Sequence, residues 1–372
     1  MKTNNCVALR LRGRSFLHGM IVLLALAFSA CNDDDGASPV TTIMPKGPKP
    51  EWGPTIKPEM QTVIEKLDEL SKGVPLYTLT PQQARLAPSA TDAVMAVMKD
   101  YNLPMPTPLV DTTGQRIPVA GGTIRVRIYT PKNAAASNPG LVYYQGGGWV
   151  IANLNTYDPS ARALAEQTGA VVVSVQYRKA PENKYPTAHN DAFAAYRWVR
   201  DNATALKINA QRIAVAGESA GGNLAAAVCL MARDASVPLP VHQLLVYPIA
   251  RYDMTTPSYA QYATAKPLSK PLMQWFFDKY LNSAADGASP LISLVNAPNL
   301  TGLPPATVIN AEIDPLQSEG QEYAAKLKAA GVAVTSKVYA GVTHEFFGMA
   351  PVVPEAQEAQ ALAAAELKKS FQ

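Results

Sequence analysis

The chain has 372 residues, of which 48% are hydrophobic, enough for one large folded domain with additions. It carries 33 basic and 29 acidic residues, for a formal charge of +4. Four of the basic residues (Lys2, Arg10, Arg12 and Arg14) precede residue 31 and no acidic residue does, so the remainder has a net charge of 4 − 4 = 0. A neutral remainder gives no reason to expect nucleic acid or another polyanion as a partner.

The first 30 residues have the pattern of an export signal. The four cations precede an apolar stretch at 16–27, which is too short to cross a bilayer and is typical of a signal peptide. The stretch leads into Ser29-Ala30-Cys31, which resembles the lipobox of bacterial lipoproteins. We therefore predict a lipoprotein signal peptide over 1–30 and a lipid anchor at Cys31 that holds the exported protein to the bacterial cell envelope, at the outer membrane or cell surface. The alternative is plain secretion with an unmodified Cys31.

Two further segments precede the alternating part of the chain. Residues 31–58 are polar and contain Pro and Lys, which predicts a flexible tether. Within 59–120, apolar residues recur at helical spacing over 59–70, and a second short helix is predicted over 91–98. Three side chains in or after this second helix either face a pocket or pack in a core: Met95, Met98 and Tyr101.

Residues 121–372 alternate between strand and helix patterns. Strict alternation over 124–129 predicts a first strand, beginning at about Thr123, with one exposed face. Continuous apolar runs typical of buried parallel strands occur at 171–175 and 213–216, and helical patterns at 159–168 and 188–200. This order predicts an α/β fold with a mostly parallel, doubly wound sheet, and residues 253–282 as an insertion.

The pentapeptide Gly217-Glu218-Ser219-Ala220-Gly221 follows the apolar run at 213–216 and precedes a helix-forming stretch. G-x-S-x-G between a strand and a helix predicts a nucleophile elbow, a sharp turn that presents the serine hydroxyl to a base. The flanking glycines give the turn the space it needs. Ser219 would then lie at a helix N-terminus, which favours developing negative charge.

A second motif, Gln145-Gly146-Gly147-Gly148, follows the short apolar strand at 141–144. Consecutive glycines let backbone N–H groups approach the oxyanion that forms in acyl transfer. With such an elbow, the N–H after the nucleophile completes the oxyanion hole, which predicts donors at Gly146, Gly147 and Ala220. A phosphate-binding loop is the alternative, but its Gly-Lys-Ser/Thr ending is absent.

In the fold that carries such an elbow, the triad runs nucleophile, acid, histidine along the chain, and this order points to the base and the acid. Of the four histidines, only His344 follows Ser219 with a suitable acid between them. The strand predicted at 306–310 leads to two carboxylates, Glu312 and Asp314. Pro315 stiffens the turn after Asp314, so Asp314 is the predicted acid and Glu312 the alternative.

From about residue 76 onward the chain resembles the hormone-sensitive-lipase-like (family IV) esterases. Four blocks match in order: H-G-G-G-x-W against 145–149, where Trp149 follows the third glycine directly, Y-R-L-A-P-E-x-x-x-P at 177–186, G-D-S-A-G-G-N-L at 217–224 and D-P-L-x-D-E-G at 314–320. The chain departs from them at Gln145 for a histidine, Glu218 for an aspartate and Ser318 for an aspartate. Of these, Gln145 bears most on the chemistry, because its amide would orient the glycine loop where the family uses an imidazole.

The resemblance implies an α/β-hydrolase fold in which residues 59–120 form an N-terminal cap on a catalytic domain at 121–372, with 253–282 as an addition to the cap. It implies hydrolysis of small-molecule carboxylic esters, of short to medium acyl chain, by Ser219, Asp314 and His344, without cofactor or metal. Two alternatives stay open: an amidase or lactonase with the same triad, and a non-catalytic, surface-anchored binding protein.

Overall fold

The chain folds around one eight-stranded sheet, seen in a computed structural model that describes residues 42–372. The strands are β1 (Val110–Val119), β2 (Gly122–Pro131), β3 (Asn138–Tyr144), β4 (Val171–Gln176), β5 (Ile208–Glu218), β6 (Gln243–Val246), β7 (Ala306–Ile313) and β8 (Val334–Thr343). Their spatial order is β1-β2-β4-β3-β5-β6-β7-β8. The β1–β2 and β2–β4 pairs are antiparallel and all the other neighbouring pairs are parallel. The predicted mostly parallel sheet is confirmed.

Eleven α-helices lie within residues 42–372. They are α1 (Pro58–Ser71), α2 (Pro81–Ala84), α3 (Ala90–Asp100), α4 (Asp158–Thr168), α5 (Thr187–Asp201), α6 (Ala220–Asp234), α7 (Pro257–Gln261), α8 (Lys270–Tyr280), α9 (Ala284–Gly287), α10 (Gln317–Ala329) and α11 (Pro354–Ser370). The helices predicted at 59–70, 91–98, 159–168 and 188–200 correspond to α1, α3, α4 and α5.

Helices cover the sheet on both faces. Successive residues of a central strand enter different hydrophobic clusters: Val173 of β4 lies in one cluster and Val172 in the other. The first cluster includes side chains of α5, α6 and α10, and the second includes side chains of α4 and α11. Burial on both faces explains why β4 is apolar throughout rather than alternating.

The sheet begins earlier than the sequence pattern predicted. We expected a first strand at about Thr123, but β1 precedes it and pairs along its length with β2, from Val110 opposite Pro131 onward. β1 is an edge strand, and its residues between Val110 and Ile117 are all exposed. An exposed edge needs no apolar alternation, so the pattern gave no signal. The end of the segment predicted as a cap, 59–120, therefore belongs to the sheet.

Ahead of the sheet, α1 and α3 pack against each other through apolar faces. Met60 and Val63 of α1 and Val94 and Val97 of α3 are buried in one cluster. Met98 is buried in the same cluster, whereas Met95 is exposed. Core packing is thus the correct alternative for Met98.

The insertion predicted at 253–282 contains α7 and α8, and α9 follows it. Leu272 and Phe276 of α8 line the cavity described below. The tyrosine considered with Met95 and Met98 does not: the Tyr101 hydroxyl donates a hydrogen bond to the backbone carbonyl of Met44 (2.9 Å). Neither Met95 nor Met98 is among the residues that line the cavity either.

Candidate active site

Ser219 lies at the turn between β5 and α6. Its backbone has φ 57° and ψ −121°, a conformation that costs a non-glycine residue energy and that is concentrated at active sites. The turn closes tightly: a Cβ on Gly217 would lie 2.1 Å from the carbonyl oxygen of Gly221. Only glycine fits there, which is the reason for the spacing of the motif. The backbone N–H of Ser219 donates to the carbonyl of Val246 on β6 (2.9 Å), which fixes the turn to the neighbouring strand.

The glycine loop that follows β3 packs directly on the first turn of α6. A Cβ on Gly221 would lie 2.0 Å from the carbonyl oxygen of Tyr144, so loop and helix approach at backbone distance. Gly147 has φ 92°, in the region that favours glycine. Gly147 and Ser219 line the same cavity. The structure thus brings the loop of Gly146 and Gly147 beside the helix that Ala220 begins.

The side chain of Tyr177 binds the backbone of this loop. The sequence predicted no role for Tyr177. Its buried hydroxyl lies 3.1 Å from the carbonyl oxygen of Gln145 and 3.2 Å from that of Gly146, and donates to them. The amide of Gln145 is also fully buried, but neither its nitrogen nor its oxygen has a hydrogen-bond partner among residues 42–372. The orienting role predicted for the Gln145 amide therefore finds no contact here and stays a prediction. Tyr177 opens the block matched at 177–186, the one sequence signal that pointed to it.

His344 and Asp314 meet at the ends of β8 and β7. Nδ1 of His344 lies 2.7 Å from Oδ2 of Asp314, and both side chains are buried. The other carboxylate oxygen, Oδ1, accepts a hydrogen bond from the backbone N–H of Leu316 (2.9 Å). With Nδ1 facing the carboxylate, Nε2 is the ring atom left for the cavity, which Ser219 also lines.

Glu312, the alternative acid, forms its hydrogen bonds with other residues than His344. Its Oε1 accepts from the Thr55 hydroxyl (2.8 Å) and its Oε2 from the backbone N–H of Gly341 (2.6 Å). Asp314 lies just past the end of β7 and is the residue that reaches His344. The structure thus pairs the histidine with Asp314.

A second pair of carboxyl groups, Glu218 and Glu345, lies near His344. The buried carboxylate of Glu218 accepts hydrogen bonds from the hydroxyls of Tyr143 and Tyr247. Burial and then the charge of Glu345 raise the pKa of Glu218 to about 7, against the hydrogen bonds that lower it. Sequence reasoning noted Glu218 only as a departure from the family, and the tyrosines that bind it come from two other strand ends.

Glu345 follows the histidine directly and lines the cavity. It has φ 72°, an uncommon conformation for a residue other than glycine, and its Oε1 accepts from the Tyr157 hydroxyl (2.6 Å). Burial raises the pKa of Glu345, although the charge of His344 and the Tyr157 hydrogen bond oppose this. Tyr157 also packs against the glycine loop, because a Cβ on Gly146 would meet its hydroxyl at 2.2 Å.

The electrostatics of His344 follow from these neighbours. Burial by itself lowers the pKa of His344, but the charge and hydrogen bond of Asp314 raise it, and so do the charges of Glu345 and Glu218. The net direction is upward. The ring of Tyr247, 4.4 Å away between centroids, covers the imidazole on one side.

The cavity over Ser219 and His344 has a volume of about 360 Å³. Its floor is the glycine loop, and its walls come from the segment between α1 and α3 and from α8. Leu76, Leu86, Leu272 and Phe276 make these walls largely apolar. This volume and lining suit a small ligand of low polarity.

Within residues 42–372, no group of three or more His, Cys, Asp or Glu side chains is arranged to hold a metal ion. None of the helices in this part of the chain is both long and apolar enough to cross a bilayer. The predicted signal peptide and Cys31 lie outside the described residues.

The comparisons with known proteins agree with this geometry. Residues 141–348, more than half of the chain, match the model of a family described as alpha/beta hydrolase fold. The protein therefore belongs to the α/β-hydrolase family, as the motifs predicted.

Several of its relatives are named as esterases. The chain is 42% identical to the carboxylesterase NlhH of Mycobacterium tuberculosis over 251 residues, which cover 67% of this chain and 79% of the relative. It is 33% identical to the ethyl acetate hydrolase of Pseudomonas putida over 313 residues, 82% of this chain and 96% of the relative.

Solved structures extend the likeness to three dimensions. A thermostable esterase from Pseudomonas putida superposes with a TM-score of 0.77 at 35% identity, over 86% of this chain and 98% of that one. The hyperthermophilic esterase of the archaeon Pyrobaculum calidifontis gives 0.75 at 38% identity, over 82% and 97%. Together the relatives and structures identify a carboxylic ester hydrolase.

Proposed function

We propose that the protein cleaves carboxylic esters through an acyl-enzyme on Ser219. The Ser219 hydroxyl oxygen attacks the ester carbonyl carbon while Nε2 of His344 accepts its proton. The same nitrogen then gives the proton to the departing alcohol, whose bond to the acyl carbon breaks. Water then takes the place of the alcohol: it attacks the acyl carbon while His344 accepts one of its protons. The bond between the acyl carbon and the Ser219 oxygen breaks as His344 returns that proton to Ser219, and the carboxylic acid leaves and ionises to the carboxylate.

Asp314 acts on this sequence through the histidine. Its hydrogen bond at Nδ1 holds the imidazole in the tautomer whose Nε2 accepts the proton, and its charge stabilises the imidazolium that forms. The backbone N–H groups of Gly146, Gly147 and Ala220 are proposed to bind the oxyanion. The close packing of the glycine loop on α6 supports this, because it fixes the donors before the reaction begins.

One observation carries the proposal: a serine in a strained strand-to-helix turn lines one cavity with His344, which is paired with the buried carboxylate of Asp314. The test is hydrolysis of a 4-nitrophenyl ester of a short acid. Ser219→Ala should lower turnover by roughly 10⁴-fold or more with the fold intact. Ser174→Ala, at a buried serine of β4, is the matched control and should keep full turnover. Activity that survives Ser219→Ala would overturn the assignment.

The substrate range we propose is neutral esters of short to medium acyl chain. A cavity of about 360 Å³ with apolar walls supports this range. The amidase or lactonase alternative is tested by matched substrates that differ only in the scissile bond. We expect the ester to react at least about 100-fold faster than the anilide, because the ester has the better leaving group. A preference for the anilide would favour the alternative.

We further propose that the protein is an exported lipoprotein, held to the bacterial cell envelope by acylated Cys31. The support is the order of cations, apolar stretch and small residues before this cysteine. Cys31→Ser should abolish labelling by radioactive palmitate and move the esterase from the membrane fraction to the soluble fraction. Cys6→Ser, upstream of the predicted cleavage, is the control and should change neither. Unchanged membrane retention of Cys31→Ser would contradict the anchor.

A further inference from the structure

A buried histidine outside the triad, His189 of α5, connects two other helices that border the active site. Its Nε2 lies 3.0 Å from Oδ1 of Asn223, which belongs to α6, the helix that follows Ser219. The same nitrogen lies 3.1 Å from the carbonyl oxygen of Leu291. Its Nδ1 lies 2.7 Å from the hydroxyl oxygen of Tyr280, the last residue of α8. His189 therefore joins α6 to α8 through its two ring nitrogens.

The hydrogen bonds determine the tautomer of His189. The amide nitrogen of Asn223 donates to the carbonyl oxygens of Ile249 (2.9 Å) and Ile292 (3.0 Å), so its Oδ1 is the atom that accepts. Nε2 of His189 must therefore carry the proton, and Nδ1 of the neutral ring accepts from the Tyr280 hydroxyl. Burial lowers the pKa of His189 to about 4, which keeps the ring neutral at pH 7.

Two residues of α8 contact the end of the glycine loop. The Tyr280 ring stacks on that of Trp149, with 4.5 Å between the centroids and 15° between the planes. One helical turn earlier, Phe276 lies so close that a Cβ on Gly148 would meet its ring at 2.1 Å. Trp149 is fully buried and has φ 59°. Such a conformation persists only where the surroundings hold it, and α8 supplies two of the contacts.

These contacts form a path between the two sources of oxyanion donors. One donor is the N–H of Ala220, on the helix that carries Asn223. The others belong to the glycine loop, whose end is covered by Tyr280. His189 links these two elements at its ring nitrogens. Because donors act on an oxyanion only at about 2.7–3.1 Å, the distance between the two elements bears directly on the rate.

We propose that His189 is a positioning residue of the reaction: acting through Tyr280, it holds the glycine loop in place relative to α6, and so aligns the oxyanion donors of the two elements. The inference rests on the proposed reaction at Ser219 and goes beyond its triad. His189 is not among the residues that line the cavity, so its loss acts on turnover through its neighbours and leaves substrate binding unchanged.

The experiment compares three variants with the wild type. His189→Leu removes the hydrogen bonds at both ring nitrogens, and Tyr280→Phe removes one and keeps the ring on Trp149. His189→Gln is the rescue variant, because an amide offers both a donor and an acceptor. For each, kcat and KM are measured with 4-nitrophenyl butyrate, together with the melting temperature. The inhibition constant of an alkyl trifluoromethyl ketone is measured as well, because its adduct with Ser219 places an oxyanion on the same donors.

His242 provides a matched control. It is also buried, its Nδ1 lies 2.9 Å from the hydroxyl oxygen of Ser370, and its Nε2 lies 2.9 Å from that of Thr307. Burial lowers its pKa to about 4, as it does for His189. His242 directly precedes β6, at the end of that strand away from the Ser219 turn. His242→Leu should lower the melting temperature about as much as His189→Leu and leave kcat unchanged.

We expect His189→Leu to lower kcat by roughly 10- to 100-fold, somewhat less than the loss of an oxyanion donor, with KM unchanged. The inhibition constant of the ketone should rise by a similar factor. Tyr280→Phe should lower kcat by a smaller factor, since the ring still covers Trp149. His189→Gln should recover most of the lost kcat.

The proposal is overturned if His189→Leu and Tyr280→Phe keep the wild-type kcat and inhibition constant. It is also overturned if His242→Leu loses as much kcat as His189→Leu, because kcat then follows stability alone. If His189→Leu does not fold, an unchanged kcat and inhibition constant in Tyr280→Phe decide against it. None of these results touches the reaction at Ser219, which fails instead if the wild type hydrolyses no ester or if Ser219→Ala keeps the wild-type activity.

Discussion

The carboxyl edge of the sheet and the wall of the cavity are built in different ways. At the sheet edge, Ser219, Asp314 and His344 each follow a strand and are almost wholly buried. The wall opposite them, which includes Leu86, comes largely from coil and short helices and exposes apolar side chains to solvent. The sheet edge is held in place by backbone contacts, whereas the wall is attached to the rest of the fold mainly by side-chain contacts.

The contacts make the difference concrete. The Ser219 turn is held by a backbone hydrogen bond to Val246, and Asp314 by the backbone N–H of Leu316. The wall is held by ion pairs that are partly exposed, such as Arg85 with Glu182. Exposed ion pairs contribute little and yield easily, whereas buried strand ends do not. We therefore expect changes at the sheet edge to alter turnover and changes in the wall to alter substrate binding.

The largest effect predicted for a conservative change at the sheet edge concerns the acid. Asp314→Asn should lower kcat by about 10⁴-fold, because an amide at this position favours the wrong tautomer of His344. Glu312→Gln should lower it less than about tenfold, since that carboxylate binds Thr55 and Gly341 instead. Steady-state kinetics on a 4-nitrophenyl ester measure both, with circular dichroism to verify the fold. A large loss in Glu312→Gln beside an active Asp314→Asn would reverse the assignment.

A smaller effect is predicted at the glycine loop, where two residues compete for the same role. Tyr177→Phe removes the hydroxyl that donates to the carbonyls of Gln145 and Gly146, and should lower kcat by roughly tenfold as the loop loses its position. Gln145→Leu removes an amide without a hydrogen-bond partner in the described part of the chain. Such a replacement is close to neutral for stability, so we expect kcat within a few-fold of wild type.

The reverse order of these two effects would restore the sequence-based prediction that Gln145 orients the loop. To separate position from stability, the melting temperature of each variant is measured alongside kcat. Gln145→His, which restores the histidine of the H-G-G-G-x-W motif, is the rescue variant. If Gln145→Leu loses 10 to 10³-fold in kcat and Gln145→His recovers it, the amide has the orienting role.

The third prediction is a shift with pH rather than a loss. The charges of Glu345 and Glu218 add to that of Asp314 in raising the pKa of His344, which must be neutral to act as a base. Glu345→Gln removes one of these charges and keeps an oxygen to accept from Tyr157. The pKa of His344 should fall, so the acid limb of kcat/KM against pH should move to lower pH.

Glu358→Gln is the matched control for this shift, because Glu358 is exposed on α11 and pairs with Lys337. Its acid limb should coincide with that of the wild type. An acid limb of Glu345→Gln that stays in place, or moves to higher pH, would show that the charge of Glu345 does not reach the imidazole. Tyr247, whose ring covers His344 and whose hydroxyl donates to Glu218, would then be the next neighbour of the imidazole to mutate.

The same contrast explains what the sequence could predict. The turn at Ser219 and the glycine loop could be predicted because a tight backbone turn demands particular residue types at fixed spacing, and spacing is visible in a sequence. Tyr177 and Tyr157 bind backbone or carboxyl atoms far away along the chain. The block matched at 177–186 pointed to Tyr177 without its contact, and no local pattern pointed to Tyr157. β1 was missed because it is an exposed edge strand, and such a strand has no apolar periodicity by which a sequence could reveal it.

The smallest effect is predicted in the wall, at Arg85. Its guanidinium donates to the carbonyls of Val150 (2.9 Å) and Ala180 (2.6 Å) and to the carboxylate of Glu182 (2.6 Å), so it ties the segment before α3 to the loops below. A lysine cannot reproduce this fork. Arg85→Lys should therefore raise KM by roughly three- to tenfold as the wall loosens, while kcat changes by less than about twofold. Arg116→Lys, on the exposed face of β1, is the control and should change neither constant. A fall in kcat at unchanged KM would mean that the Arg85 contacts affect the chemical step. The expectation that changes in the wall alter substrate binding and not turnover would then be wrong at this residue.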